Sequence, residues 1–165
     1  MSHLAKIALA AVLLLPAAGA AWAGTTVTYT DPEQFADIPF SIAERERVLK
    51  ELSAHFAKLG AQLPPGQDLT INVTDVDLAG RMTFSRRGNQ EIRLLTGGAD
   101  WPRIHLQYRL ESGGQLVGSG DADLSDMMYL NHLNFYSMGE TLRYEKQMID
   151  EWFSKTFGVK ARARG

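Results

Sequence analysis

From Leu69 to Thr74 apolar and polar residues alternate strictly. Leu69, Ile71 and Val73 take one face and Thr70, Asn72 and Thr74 the other, which is the pattern of a half-buried β-strand. The next residues break it. Asp75 and Asp77 fall on the aliphatic face, while Val76 and Leu78 fall on the polar one. Either a bulge near Thr74 shifts the register, or two carboxylates emerge at the edge of a buried surface. Upstream, Val27 and Tyr29 alternate with threonines from Thr25 to Thr30, predicting a strand that Asp31-Pro32 ends. Ile42, Leu49, Leu52, Phe56 and Leu59 then share one helical face, interrupted by Arg45. Ser41-x-x-Glu44 reads as a capping box at the start of this helix, and Gly60 as its stop. His55 borders the stripe and is read as a packing residue rather than a ligand.

Beyond Gly80, Arg86 to Asn89 reads as a loop and Glu91 to Leu95 as a short strand, broken at Thr96-Gly97-Gly98. The most regular strand sets Ile104, Leu106, Tyr108 and Leu110 against Arg103, His105, Gln107 and Arg109; a second strand, Gln115 to Leu124, returns beside it. A three-residue loop, Ser112 to Gly114, makes the faces agree. It pairs Leu110 with Leu116, Tyr108 with Gly118, Leu106 with Gly120 and Ile104 with Ala122, and sets Arg103 against Asp123 and His105 against Asp121. Ser125-Asp126 opens a short helical turn through Leu130. Ser137-x-x-Glu140 reads as a second capping box, before a helix with Leu142, Met148, Ile149, Trp152, Phe153 and Phe157 on a broad apolar face and Gly158 as its stop. The expected fold is α+β: a single two-layer domain over residues 24–158, with a mainly antiparallel sheet of about five strands and two long helices packed on one face. Residues 159–165 read as a basic, disordered tail.

Residues 1–23 carry a different pattern. Lys6 precedes the apolar run Ile7 to Leu15, too short to span a bilayer, and Ala21-Trp22-Ala23 provides the small-x-small motif of a cleavage site. This predicts a cleaved signal peptide and an exported, soluble, periplasmic protein with no integral membrane segment after cleavage. The chain has no cysteine, so it carries neither a lipobox nor a disulfide, and its core must hold the fold unaided. A formal net charge of −2 gives no electrostatic case for nucleic-acid binding.

Thr74-Asp75-Val76-Asp77-Leu78-Ala79-Gly80, Asp100-Trp101-Pro102-Arg103-Ile104, Tyr144-Glu145-Lys146 and Trp152-Phe153 resemble the blocks of the domain-of-unknown-function family numbered 3016. The resemblance extends from about Val27 to Phe157. Its members are mostly short exported proteins of Gram-negative bacteria, so it implies periplasmic residence; it implies no reaction and no catalytic residue.

The chemistry must therefore be weighed from side chains. Asp75-x-Asp77-x-x-Gly80 begins like an EF-hand loop, but Ala79 stands at its fifth position and Arg86 at its twelfth, which excludes it. A different metal site would draw on Asp75, Asp77, Asp100 and Asp126. The competing structural reading gives the aspartates to Arg81, Arg93 or Arg103, or to backbone N–H groups at the strand end. Gly118-Ser119-Gly120 lies mid-strand rather than on a nucleophile elbow, and the histidines lack ligand spacing. No cofactor is expected.

Two functions remain. One is a non-enzymatic envelope module binding a protein, a glycan or a small ligand. Its polar or contact cluster comprises Asp75, Asp77, Asp100, Trp101, Arg103 and Tyr129, with Tyr136 a further aromatic contact and Met127, Met128 and Met138 a candidate sticky surface. The alternative is a metal-dependent or acid–base hydrolase centred on Asp75 and Asp77. A cleft holding both carboxylates clear of arginine would favour the hydrolase; a direct pair with Arg81 or Arg103 would count against it. Exposure of Trp101, Tyr129 and Tyr136 would favour the binding module.

Overall fold

The computed structural model describes residues 23–85 and 91–159. In chain order it contains β1 (Gly24–Tyr29), a short 3-10 turn (Pro32–Gln34), α1 (Ile42–Gly60), β2 (Gln67–Asp77), β3 (Arg81–Phe84), β4 (Glu91–Leu94), β5 (Arg103–Ser112), β6 (Gln115–Ser125) and α2 (Arg143–Phe157). All of the predicted signal peptide but Ala23, and all of the predicted tail but Val159, lie outside the described residues. Val159 packs against the core rather than standing clear of it.

The architecture is α+β, as the residue pattern predicts. The main sheet has four strands in the order β1-β2-β5-β6, and β3 and β4 form a separate hairpin. Its one parallel pair is β1 with β2. That follows from chain order, because a parallel return needs a crossover and α1 supplies it. Leu69, Ile71 and Val73 of β2, Ile104 and Leu106 of β5 and Leu124 of β6 meet Leu52, Phe56 and Leu59 of α1 and Met148, Ile149 and Phe153 of α2 in one core. The other sheet face, with Thr70, His105, Gln107 and Asp121, is exposed.

The bulge resolves the anomaly in β2. Val73 pairs with Leu106 and Asp75 with His105, so Thr74 is the inserted residue. Beyond it Val76 and Leu78 are buried, and Asp75 and Asp77 stand half-exposed at the strand end.

Four expectations require correction. The β5–β6 hairpin turns on two residues, Gly113 and Gly114, with φ 57° and 78°, as a type I′ turn demands. An irregularity beside Val117 restores agreement of the faces, giving Leu110 opposite Gly118, Tyr108 opposite Gly120 and Leu106 opposite Ala122. His105 therefore faces Asp123, Gln107 takes Asp121, and Arg103 lies opposite Ser125.

Neither capping box forms. Glu44 bonds Arg47, and Glu140 is drawn to the Lys146 ammonium, a stronger partner than a neutral backbone N–H. With its cap spent elsewhere, α2 begins only at Arg143. Gly60 ends α1 without a left-handed cap: a Cβ there would overlap the Thr25 side chain, so glycine lets the helix lie close on β1. Gly158, by contrast, is the left-handed stop that was predicted, at φ 68°.

Candidate functional site

The bulge and the hairpin register decide what becomes of the predicted aspartates. Arg103, freed from Asp123, donates through Nε to Asp77 Oδ2 at 2.9 Å, and its guanidinium lies 5.1 Å from the centre of the half-buried Trp101 ring. Asp75 Oδ1 accepts the Ala36 N–H at 3.0 Å. Asp100 Oδ2 accepts both the N–H and the hydroxyl of Thr96, at 2.8 and 2.6 Å. The Thr96 hydroxyl bond, foremost, holds the Asp100 carboxyl below its ordinary pKa. Tyr129 donates to Asp100 Oδ1 at 3.1 Å and sits edge-on to Tyr144; burial, then this bond, pushes its hydroxyl pKa up. Asp126 Oδ1 caps its own turn by accepting the Met128 N–H at 3.0 Å, and Oδ2 lies 3.6 Å from His132 Nδ1.

The six-residue contact cluster thus divides into Asp77–Arg103–Trp101, Asp100–Tyr129 and a separate Asp75. Among the described residues no group of three His, Cys, Asp or Glu is placed to hold a metal. The Asp77–Arg103 pair is the geometry that counts against a hydrolase centred on Asp75 and Asp77. A carboxylate that does neighbour Asp77 was missed: Asp37 joins it across an isolated parallel bridge. Burial, then the charge of Asp77, raises the Asp37 pKa against the pull of Arg93.

A second cluster, between α1 and α2, was also missed. His55 and Asp150 are 6% and 7% exposed, with His55 Nε2 2.8 Å from Asp150 Oδ1. A carboxylate can only accept, which assigns the proton to Nε2. Tyr136, buried rather than displayed, donates to Asp150 Oδ2 at 2.6 Å, and its ring meets His55 edge-on at 5.9 Å. Burial, then the bond to Asp150, raises the Tyr136 pKa and keeps the hydroxyl a donor. Lys146 donates to Glu51 at 2.8 Å and also to Glu140. Burial alone would lower its pKa; the bonds to Glu140 and Glu51 outweigh that and raise it, so it remains an ammonium. A cavity of about 190 Å³ opens here between Glu51, Ala54, His55 and Lys58 of α1, Tyr136 and Glu140 of the preceding loop, and Lys146 of α2.

Deeper in, the wholly buried Glu145 accepts the Ala79 N–H at 2.8 Å and pairs with Arg93, which also donates to the Thr141 carbonyl at 2.7 Å. This network ties the Asp-Val-Asp-Leu-Ala-Gly block to α2.

A signal for the second cluster was present in the sequence. Leu142, Lys146, Asp150 and Phe153 fall at helical spacing on one face, as do Glu51, His55 and Leu59. Charges within an apolar stripe need partners, and the facing helix supplies them.

The third feature is apolar and exposed. Met127, Met128, Leu130, Leu133, Phe135 and Met138 project to solvent, Phe135 at 65% and Met138 at 92% exposure. The segment is nonetheless anchored. Tyr129 and Tyr136 are buried, Asn134 donates to the Arg143 carbonyl at 3.0 Å, and Gln147 accepts the Phe135 N–H at 3.3 Å. The Leu130 side chain lies close to Gly97.

Residues 23–155 match the family model described as a protein of unknown function (DUF3016), and the chain belongs to that family. No curated protein matches the chain.

Proposed function

We propose that this family member is an exported, non-enzymatic accessory module of the cell envelope that holds another envelope protein through its Met127–Met138 segment. The carrying observation is the set of six apolar side chains turned outward from a segment whose tyrosines and polar side chains anchor it inward. A flexible loop would fold such side chains back; an anchored one keeps them displayed, and contiguous exposed apolar surface marks interaction sites. Methionine suits a contact that must repack around its partner.

Charge favours a protein over a bilayer. Residues 126–142 contain no lysine or arginine but include Asp126 and Glu140, so anionic lipid would not attract them. Export rests on Lys6, the Ile7–Leu15 run and Ala21-Trp22-Ala23.

The test places a photo-crosslinking residue at Leu133 or Met138, with Thr70 on the open sheet face as control, in cells that export the chain. Discrete adducts from the two loop positions and none from Thr70 are expected, together with a mature N-terminus at Gly24. Equal adducts from Thr70, or only self-dimers, would overturn the reading.

A further inference from the structure

The basic run that follows α2, Lys160-Ala161-Arg162-Ala163-Arg164, has no part in the Met127–Met138 surface. We propose that it docks along β6 as an added parallel strand at the free edge of the main sheet. β6 ends the order β1-β2-β5-β6, and its 11 residues pair with no further strand among the described residues. It contains neither proline nor lysine, the residues that commonly guard an exposed edge, so the edge is open to pairing.

The end of α2 delivers the tail to this edge. Met148, Glu151, Trp152 and Lys155 of α2 line a cleft of about 170 Å³ with Asp123, Leu124 and Ser125 of β6. Further along the helix, Phe157 lies 5.6 Å from the Tyr108 ring, which rests against Gly120. α2 therefore runs opposite to β6. Gly158 turns the chain out of the helix at φ 68°, and Val159 packs on the core. A chain doubling back from there runs parallel to β6, past Asp121 and Asp123. Reach is sufficient: Lys160 to Arg164 extended span about 17 Å, against about 9 Å of helix from Phe157 back to Glu151.

Charge supplies the register. Alternate residues of a strand share a face. Asp121 and Asp123 stand two apart on the open face of β6, and Lys160, Arg162 and Arg164 stand two apart in the tail. The alanines between them fall on the side of Gly120 and Ala122, the face that α2 covers. Neither aspartate meets a lysine or arginine among the described residues. Asp121 accepts from the Gln107 amide at 2.9 Å, and Asp123, 82% exposed, pairs with His105. Glu151, across the cleft, enters no ion pair among the described residues. Three carboxylates thus border the path of three cations. A second copy of the chain would set this acidic strand against itself, and like charges across strands repel.

The experiment attaches a nitroxide to the Gly165→Cys variant of the purified chain and reads amide relaxation and hydrogen exchange by NMR. Broadening is expected along β6 and the facing side of α2, and not along β1 at the opposite edge. In a chain ending at Val159, β6 amides exposed at the edge should exchange about tenfold faster, while β2 amides, which report the fold, do not change. The triple variant Lys160→Glu, Arg162→Glu, Arg164→Glu keeps length and alternation; it should lose the broadening and show the same faster exchange. Broadening spread evenly over β1 and β6, or β6 exchange unaltered by truncation and by charge reversal, would overturn the proposal. So would broadening that appears in an isotope-labelled chain mixed with a separate nitroxide-bearing one, since that assigns the contact to a second copy.

Discussion

Replacing Asp150 by alanine tests the buried α1–α2 network most directly. Its two carboxylate oxygens serve two donors at once, His55 Nε2 at 2.8 Å and the Tyr136 hydroxyl at 2.6 Å, and both donors are buried. In Asp150→Ala both lose their acceptor. An orphaned buried donor costs about 1–3 kcal/mol, so the variant should lose about 3–5 kcal/mol. That is a large share of a typical domain stability of about 5–15 kcal/mol. Urea unfolding followed by tryptophan fluorescence reads it. The sharper test is the sign of a second change. Tyr136→Phe in the wild type takes a donor from the buried Asp150 carboxylate and should cost about 1.5–3 kcal/mol. In the Asp150→Ala background it removes an unsatisfied donor and should cost nothing or restore stability, a coupling of about 1.5–3 kcal/mol. A loss below about 1 kcal/mol for Asp150→Ala, or an equal cost of Tyr136→Phe in both backgrounds, would refute the reasoning.

Gly60→Ala would stabilise an unencumbered helix by about 1 kcal/mol through propensity. Here the new Cβ meets Thr25, so net destabilisation is expected in urea melts, partly relieved by Thr25→Ala. Arg93→Met strands the fully buried Glu145 and should cost about 3–5 kcal/mol. Arg103→Met breaks an ion pair whose arginine is 42% exposed and should cost only about 0–1 kcal/mol; similar losses from the two would contradict the burial argument. The Asp37 carboxyl binds its proton more tightly folded than unfolded, because burial and the neighbouring Asp77 charge raise its pKa. The stability this gives is fully present below the unfolded pKa and lost as pH rises through the folded one. Asp37→Asn should therefore match the wild type in acid and exceed it in thermal stability near neutrality; a variant no more stable at neutral pH would contradict the assignment.

Short-range pattern was enough to place most elements of this protein. Period two along Leu69–Val73 and Ile104–Leu110, the helical stripe from Leu49 to Leu59 and the left-handed stop at Gly158 depend on backbone sterics and on which face meets water, and neighbouring residues set both. The break at Asp75 could also be narrowed from sequence to a bulge at Thr74 or an exposed edge, because a strand has only two faces. Partner choice was decided by the tertiary structure. Glu140 stands three residues after Ser137, as a capping box asks, but packing brings Lys146 to it and the charged partner wins. Arg103 had Asp123 and Asp77 as candidate partners, and one irregularity beside Val117 shifted β6 enough to settle it for Asp77. His55 and Asp150 lie far apart in the chain and meet only once α1 and α2 share a sheet face. Local sterics act over a few residues and are written in the pattern. Hydrogen-bonding groups accept any suitable partner within about 3 Å, so their pairing waits on the packing that brings such partners near.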